Sequence, residues 1–120
     1  MSQQAHSKLV RDIVARFSHG DTRLFVTNTG VAWQGQIVEK SRDLLVLLNP
    51  RPVHFGVVGI SDITGLIGAI YVAIECKTGK ARPTKEQISF LQMVTRLGGR
   101  AGIARSIEDA EKILAGRSLI

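Results

Sequence analysis

The stretch 66–105 constrains the fold more than any other part of this chain. Leu66–Lys77 is an apolar run of central-strand character, and Thr78-Gly79-Lys80-Ala81-Arg82-Pro83 follows it as a basic loop. Thr84-Lys85-Glu86-Gln87 then has the capping-box pattern, in which Thr84 caps a helix and Gln87 reaches back to the cap. Ile88, Leu91, Val94 and Leu97 continue at helical spacing to a stop at Gly98-Gly99, and Arg100–Arg105 reads as a short strand. A strand, a crossover helix and a further strand form a βαβ unit, whose strands lie parallel in one sheet. The chain is therefore expected to be an α/β protein with a mixed, partly parallel sheet.

The other segments fit around that unit. Leu9, Val10, Ile13, Val14 and Phe17 recur at helical spacing and predict an amphipathic helix over about residues 4–18, stopped near Gly20. Arg23–Asn28 and Val31–Val38 are β-rich and flank Thr29-Gly30, a hairpin signal. Leu44–Leu48 is a short apolar run, and Asn49-Pro50-Arg51-Pro52 after it reads as a loop. Val53–Ile60 is expected to be a second central strand, separated from Leu66–Lys77 by a polar turn at Ser61–Gly65. Ser106-Ile107-Glu108-Asp109 opens a last helix that buries Ile107, Ala110, Ile113 and Leu114. With 120 residues and no linker or repeat, a single domain over 1–120 is expected.

No window has the apolar length of a membrane span, the start lacks a signal-peptide layout, and the single cysteine forms no internal disulfide or zinc cluster. A cytoplasmic setting, with no membrane partner, is the resulting expectation. The net charge of +6 is unevenly placed. Residues 77–105 hold seven basic groups against the single acid Glu86, while the rest of the chain is balanced. Such a stretch suits a polyanion, because neutralised phosphates release counterions; a solvated basic face is the alternative.

Alternation along a strand places Val72, Ile74 and Cys76 on one face and Tyr71, Ala73, Glu75 and Lys77 on the other. Glu75 and Lys77 are thus neighbours at the end of an otherwise apolar strand, and an antiparallel hairpin could bring Asp62 beside them. Two carboxylates and a lysine suit a hard cation: Asp62 and Glu75 as ligands of Mg²⁺ or Mn²⁺, the Cys76 backbone carbonyl as a third oxygen, and Lys77 to orient water or offset developing charge. A surface ion pair is the alternative, and charges on an apolar strand are costly unless used.

Three blocks then stand in order: Gly59-Ile60-Ser61-Asp62-Ile63-Thr64-Gly65, Ile74-Glu75-Cys76-Lys77-Thr78-Gly79-Lys80 and Arg82-Pro83-Thr84-Lys85-Glu86-Gln87. With Asn28-Thr29-Gly30, Gly98-Gly99 and Ala104-Arg105-Ser106, the sequence resembles the VRR-NUC domain, the virus-type replication-repair branch of the PD-(D/E)XK nucleases. The resemblance runs from about residue 5 to 115. It implies a restriction-endonuclease-like fold, with a central mixed sheet flanked by helices. It also implies Mg²⁺- or Mn²⁺-dependent hydrolysis of DNA, with Asp62 and Glu75 as metal ligands, Lys77 as the catalytic lysine and Gln87 as active-site support. Stand-alone members suggest branched substrates, four-way junctions first, and phage DNA processing. Expected DNA contacts are Asn28, Lys80, Arg82, Lys85 and Arg100.

Two positions depart from the family pattern. Ser61 stands where the superfamily has Pro, and no acid precedes Asp12 on the first helix, where a further ligand is usual; Gln3, Gln4 or His6 falls there instead. His6 suits Mn²⁺ better than Mg²⁺, and is otherwise an exposed residue at the helix start. Two rival functions follow: an inactive DNA-binding module of the same fold, or a nuclease subunit dependent on a partner. Trp33 and Phe55 are expected in the core, and Cys76 as a buried small hydrophobe. Leu44–Leu48 and Val53–Val58 exceed the needs of a small core, which suggests a two-fold homodimer; two buried strands are the alternative.

Overall fold

The computed structural model describes residues 3–27 and 30–120. The chain is an α/β protein: helix α1 (Gln3–Phe17), strands β1 (Thr22–Val26), β2 (Gly30–Lys40), β3 (Leu45–Phe55), β4 (Ile63–Ile67) and β5 (Ile70–Cys76), helix α2 (Lys85–Arg96), strand β6 (Arg100–Ala104) and helix α3 (Ile107–Leu114). Four strands form a mixed sheet in the order β1-β4-β5-β6, and β2 and β3 form a separate two-stranded ribbon. The βαβ unit is β5–α2–β6, with β5 and β6 parallel and the other pairs of the sheet antiparallel.

The predicted alternation on β5 sorts its side chains between two cores. Val72, Ile74 and Cys76 pack with Val10 and Ile13 of α1 and with Ala110 and Ile113 of α3. Ala73 packs on the other side with Leu91 and Val94 of α2. Ile13, Ile63, Ile74 and Ile113 have no exposed surface, and each stabilises the fold by roughly 1.5–3 kcal/mol through burial. Both later helices start on a real cap: Thr84 accepts from the Gln87 amide while Gln87 Oε1 accepts from the Thr84 amide, and Ser106 accepts from the Asp109 amide.

Three expectations about strands are corrected. The run Leu66–Lys77 is not one strand, because Gly68-Ala69 turns it between β4 and β5, with Gly68 at φ 56°. That left-handed conformation is open to glycine, and no polar residue advertises the turn. Segment Ser61–Gly65 is no turn; its second half begins β4. The proposed hairpin of Arg23–Asn28 with Val31–Val38 does not form, since β1 pairs with β4 and β2 with β3.

The largest correction concerns residues 49–60. Asn49-Pro50-Arg51-Pro52 lies inside β3, and Val53 belongs to that strand instead of opening a central one. Proline is tolerated because both strands of an isolated ribbon are edges, where a missing N–H leaves no ladder bond unmade. The register slips between Gln34 and Gln36 opposite this segment, and Asn49 takes φ 51°. Trp33, expected in the core, is 62% exposed. Among the named elements, β2 and β3 have only each other as a substantial neighbour. The ribbon makes the molecule long, 51 × 31 × 27 Å, with a radius of gyration of 16.9 Å, against about 14 Å for a compact chain of this length. No described helix is long and apolar enough to cross a membrane.

Candidate active site

The register Ile63↔Ile74 between β4 and β5 sets Asp62 across from Glu75 at the end of the sheet. Asp62 is fixed there by its own contacts. Its Oδ2 accepts from the Cys76 amide at 3.0 Å, and its carbonyl accepts from the Thr27 amide at 2.8 Å. Lys77 is tied to β6 through its amide, which donates to the Ala104 carbonyl at 3.1 Å. Its Nζ lies 3.4 Å from Glu75 Oε2. The three predicted residues therefore come together at one strand end.

Glu75 is the unusual member. Its side chain is 3% exposed, yet Oε1 has no hydrogen-bond partner among the described residues. Burial, then the neighbouring Asp62 charge, push its carboxyl up from an ordinary 4.5 to about 7, although Lys77 pulls the other way. Ser61, at the position before Asp62, is also buried, and its hydroxyl has no partner among the described residues. The Cys76 side chain is fully buried, away from the site, and that burial pushes its thiol up.

His6 is not the exposed helix-start residue expected of it. Its Nε2 lies 3.1 Å from Asp62 Oδ2 and 3.1 Å from the Cys76 carbonyl oxygen. Both partners are acceptors, so Nε2 carries the proton and donates to them. Helix α1 thus delivers its imidazole to two of the three atoms predicted to bind a cation. The clue was one turn of helix bearing three polar residues without an acid, and only the packing of α1 on the sheet picks among them. Beside His6 and Asp62 opens a cleft of about 400 Å³, also lined by Gln3, Arg11 and Thr27.

The fit of a cation rests on the buried, unpartnered Glu75 oxygen beside a second carboxylate. A buried carboxylate with one oxygen unsatisfied is costly even with Lys77 on the other, and a cation would supply what is missing. Among the described residues no three His, Cys, Asp or Glu side chains are already grouped as a cation site, so the backbone carbonyl of Cys76 is needed as the third oxygen.

The remaining predicted residues divide. Lys80, Arg82 and Lys85 are exposed around the basic loop, and among the described residues they make no ion pair. Gln87 has its carbonyl committed to the Thr84 cap, so the capping role holds and only its amide N–H groups remain for substrate. Arg100 lies apart from the other predicted residues. It pairs with Val72, at the far end of β5 from Cys76, and its guanidinium donates to the Leu114 carbonyl at the end of α3. A cation there serves the helix terminus. Asn28 lies outside the described residues. Arg105, to which no role was given, donates to the Gly79 carbonyl at 3.3 Å and the Ala81 carbonyl at 2.8 Å, fastening the basic loop to β6. Gly59 also braces the site. It sits at φ 80°, and a Cβ there would meet the Glu86 carbonyl oxygen at 2.4 Å, so the loop before Asp62 lies tight against α2.

No family model and no curated protein matches this sequence.

Proposed function

We propose that this chain is a Mg²⁺- or Mn²⁺-dependent DNA endonuclease of restriction-endonuclease-like fold, similar to VRR-NUC domains, acting on branched DNA with four-way junctions first. The observation that carries the reading is the buried, unpartnered Glu75 Oε1 beside Asp62, with Lys77 on its other oxygen. Glu75, Asp62 and the Cys76 carbonyl would hold the cation. When bound, it supplies a Lewis acid that polarises the scissile phosphate and acidifies water. The Cys76 amide keeps Asp62 oriented, and Lys77 presents a positive charge on the same face, where it can orient the attacking water and offset charge on the phosphate oxygens. Water loses a proton to solvent as it adds to phosphorus, the bond to the leaving sugar oxygen breaks, and that oxygen takes up a proton from solvent in return. Lys80, Arg82 and Lys85 bind flanking phosphates.

Pure protein incubated with labelled duplex, flap, single-stranded and four-way DNA should cleave with Mn²⁺ or Mg²⁺ and not with EDTA. Asp62→Asn, Glu75→Gln and Lys77→Ala should each lower the rate by on the order of 10³-fold or more while DNA binding persists. Wild-type cleavage in any of them would remove that residue from the mechanism. A second reading, a DNA-binding module without activity, draws on His6 holding Asp62 and the Cys76 carbonyl for itself; binding without cleavage under every metal would favour it.

A further inference from the structure

The end of the sheet that carries Asp62 has cationic groups on both flanks. From β1 to β6 the row at this end runs Val26, Ile63, Cys76 and Ala104, so Asp62 and Lys77 stand in its middle. Arg105 fastens the basic loop to the β6 flank. On the β1 flank lies the cleft of about 400 Å³, walled by α1 and by Val26 and Thr27. Three strand spacings of about 4.8 Å separate the flanks, roughly 14 Å in all. That is about four nucleotides of a duplex strand at roughly 3.4 Å each.

Helix α1 lines this cleft with one stripe of side chains. Gln3, Ser7 and Arg11 follow one another at helical spacing of four, and His6 stands beside them. A charge count along the sequence hides Arg11, because Asp12 follows it and cancels it. In the fold Asp12 accepts from Lys8 instead. Among the described residues the Arg11 guanidinium has neither an ion pair nor a hydrogen bond. The acid that lines the cleft is Asp62, and its Oδ2 is already held by the Cys76 amide and by His6. Gln3 and Ser7 add neutral donors, and Val10 and Val26 add apolar contacts, a mixture that suits a phosphate joined to its sugar.

We propose that this cleft is a second phosphate subsite, in which Arg11 binds the DNA strand on the far side of the cut from the basic loop. The strand then runs from Lys80 and Arg82, past Asp62 and Glu75, to Arg11. The subsite rests on the nuclease reading above.

Its test uses the Glu75→Gln chain in EDTA, so that binding is read without cleavage. In titrations of a fluorescein-labelled four-way DNA, Arg11→Ala should weaken binding on the order of 10-fold and lower the log–log salt slope by about 0.9. Arg11→Lys should restore the slope, and Arg16→Ala, on α1 but outside the cleft, should leave it unchanged. Single methylphosphonates, each removing one backbone charge, then locate the contact. One linkage, across the cut from those that answer to Lys80 and Arg82, should weaken the chain with Arg11 and cost Arg11→Ala nothing more. An arginine with only a structural role would not couple to one linkage. An unchanged slope in Arg11→Ala overturns the proposal, as does an equal loss in Arg16→Ala or a loss that no single linkage shares. Where the wild-type chain still cleaves four-way DNA, any of these results sinks the subsite alone. A wild-type chain that neither binds nor cleaves DNA brings the nuclease reading down with it.

Discussion

Two antiparallel hairpins of this molecule are built from similar residues and put to opposite use. In β4–β5, strands of five and seven residues are covered on both faces, and the last five positions of β5 are all buried. In β2–β3, strands of eleven residues are also rich in Val, Ile and Leu, yet hardly a described side chain is covered. Strand-forming composition thus says where a hairpin forms, and not whether the chain itself supplies the neighbour. The difference also places the chemistry: a buried strand end can hold a carboxylate in a dry setting, and an exposed ribbon cannot.

The contrast breaks most directly on stability. Ile74→Ala should cost about 2–5 kcal/mol in urea unfolding, because the cavity it leaves lies between helices and sheet. Ile37→Ala should cost no more than about 0.5 kcal/mol in the dilute single chain. Equal losses would mean that the ribbon is packed as core.

Glu75 sharpens the same contrast through pH. Its carboxyl holds its proton up to about 7 in the fold and loses it near 4.5 when unfolded. Below about pH 4.5 both states are protonated, and as pH rises towards 7 the unfolded chain ionises first, so this group's contribution to stability is lost across that window. Glu75→Gln, which never ionises, should match wild type near pH 4 and exceed it in thermal stability near pH 8, with EDTA present. A variant no more stable than wild type near pH 8 would mean that the carboxylate is already partnered.

The smallest effect concerns DNA. Replacing Lys80, Arg82 and Lys85 by alanine should flatten the log–log salt dependence of binding by up to about 2.7, roughly 0.9 per lost phosphate contact. Replacing Lys40, Arg42 and Arg51 on the ribbon should leave the slope as it was. The reverse outcome would move the DNA path onto the ribbon.

How much of this was legible depends on whether a residue's role is local. Period-two alternation and the capping box are properties of neighbours in sequence, so the two faces of β5, the α2 start and the βαβ unit could all be read in advance. Asp62 beside Glu75 followed from one hairpin register. His6 could be read only as one of three candidates and Arg105 not at all, because each acts on partners 24 to 70 residues away that only tertiary packing brings near. The prolines of β3 misled for a physical reason: they break central strands, and nothing in the sequence marks a strand that has no second neighbour.

Arg105 has a consequence for how the basic loop meets a polyanion. Its guanidinium holds the Gly79 and Ala81 carbonyls, so Lys80, between them, and Arg82, just beyond, are mounted on backbone that is already ordered. Fixing one residue's backbone costs about 1–2 kcal/mol, and for a slack loop that entropy would be lost at the moment of contact, offsetting much of what each phosphate gives. Here it was surrendered once, when the chain folded. If the proposed DNA substrate binds there, only the side chains of Lys80 and Arg82 would still have to be ordered on contact, and more of the attraction to phosphate would go into residence time.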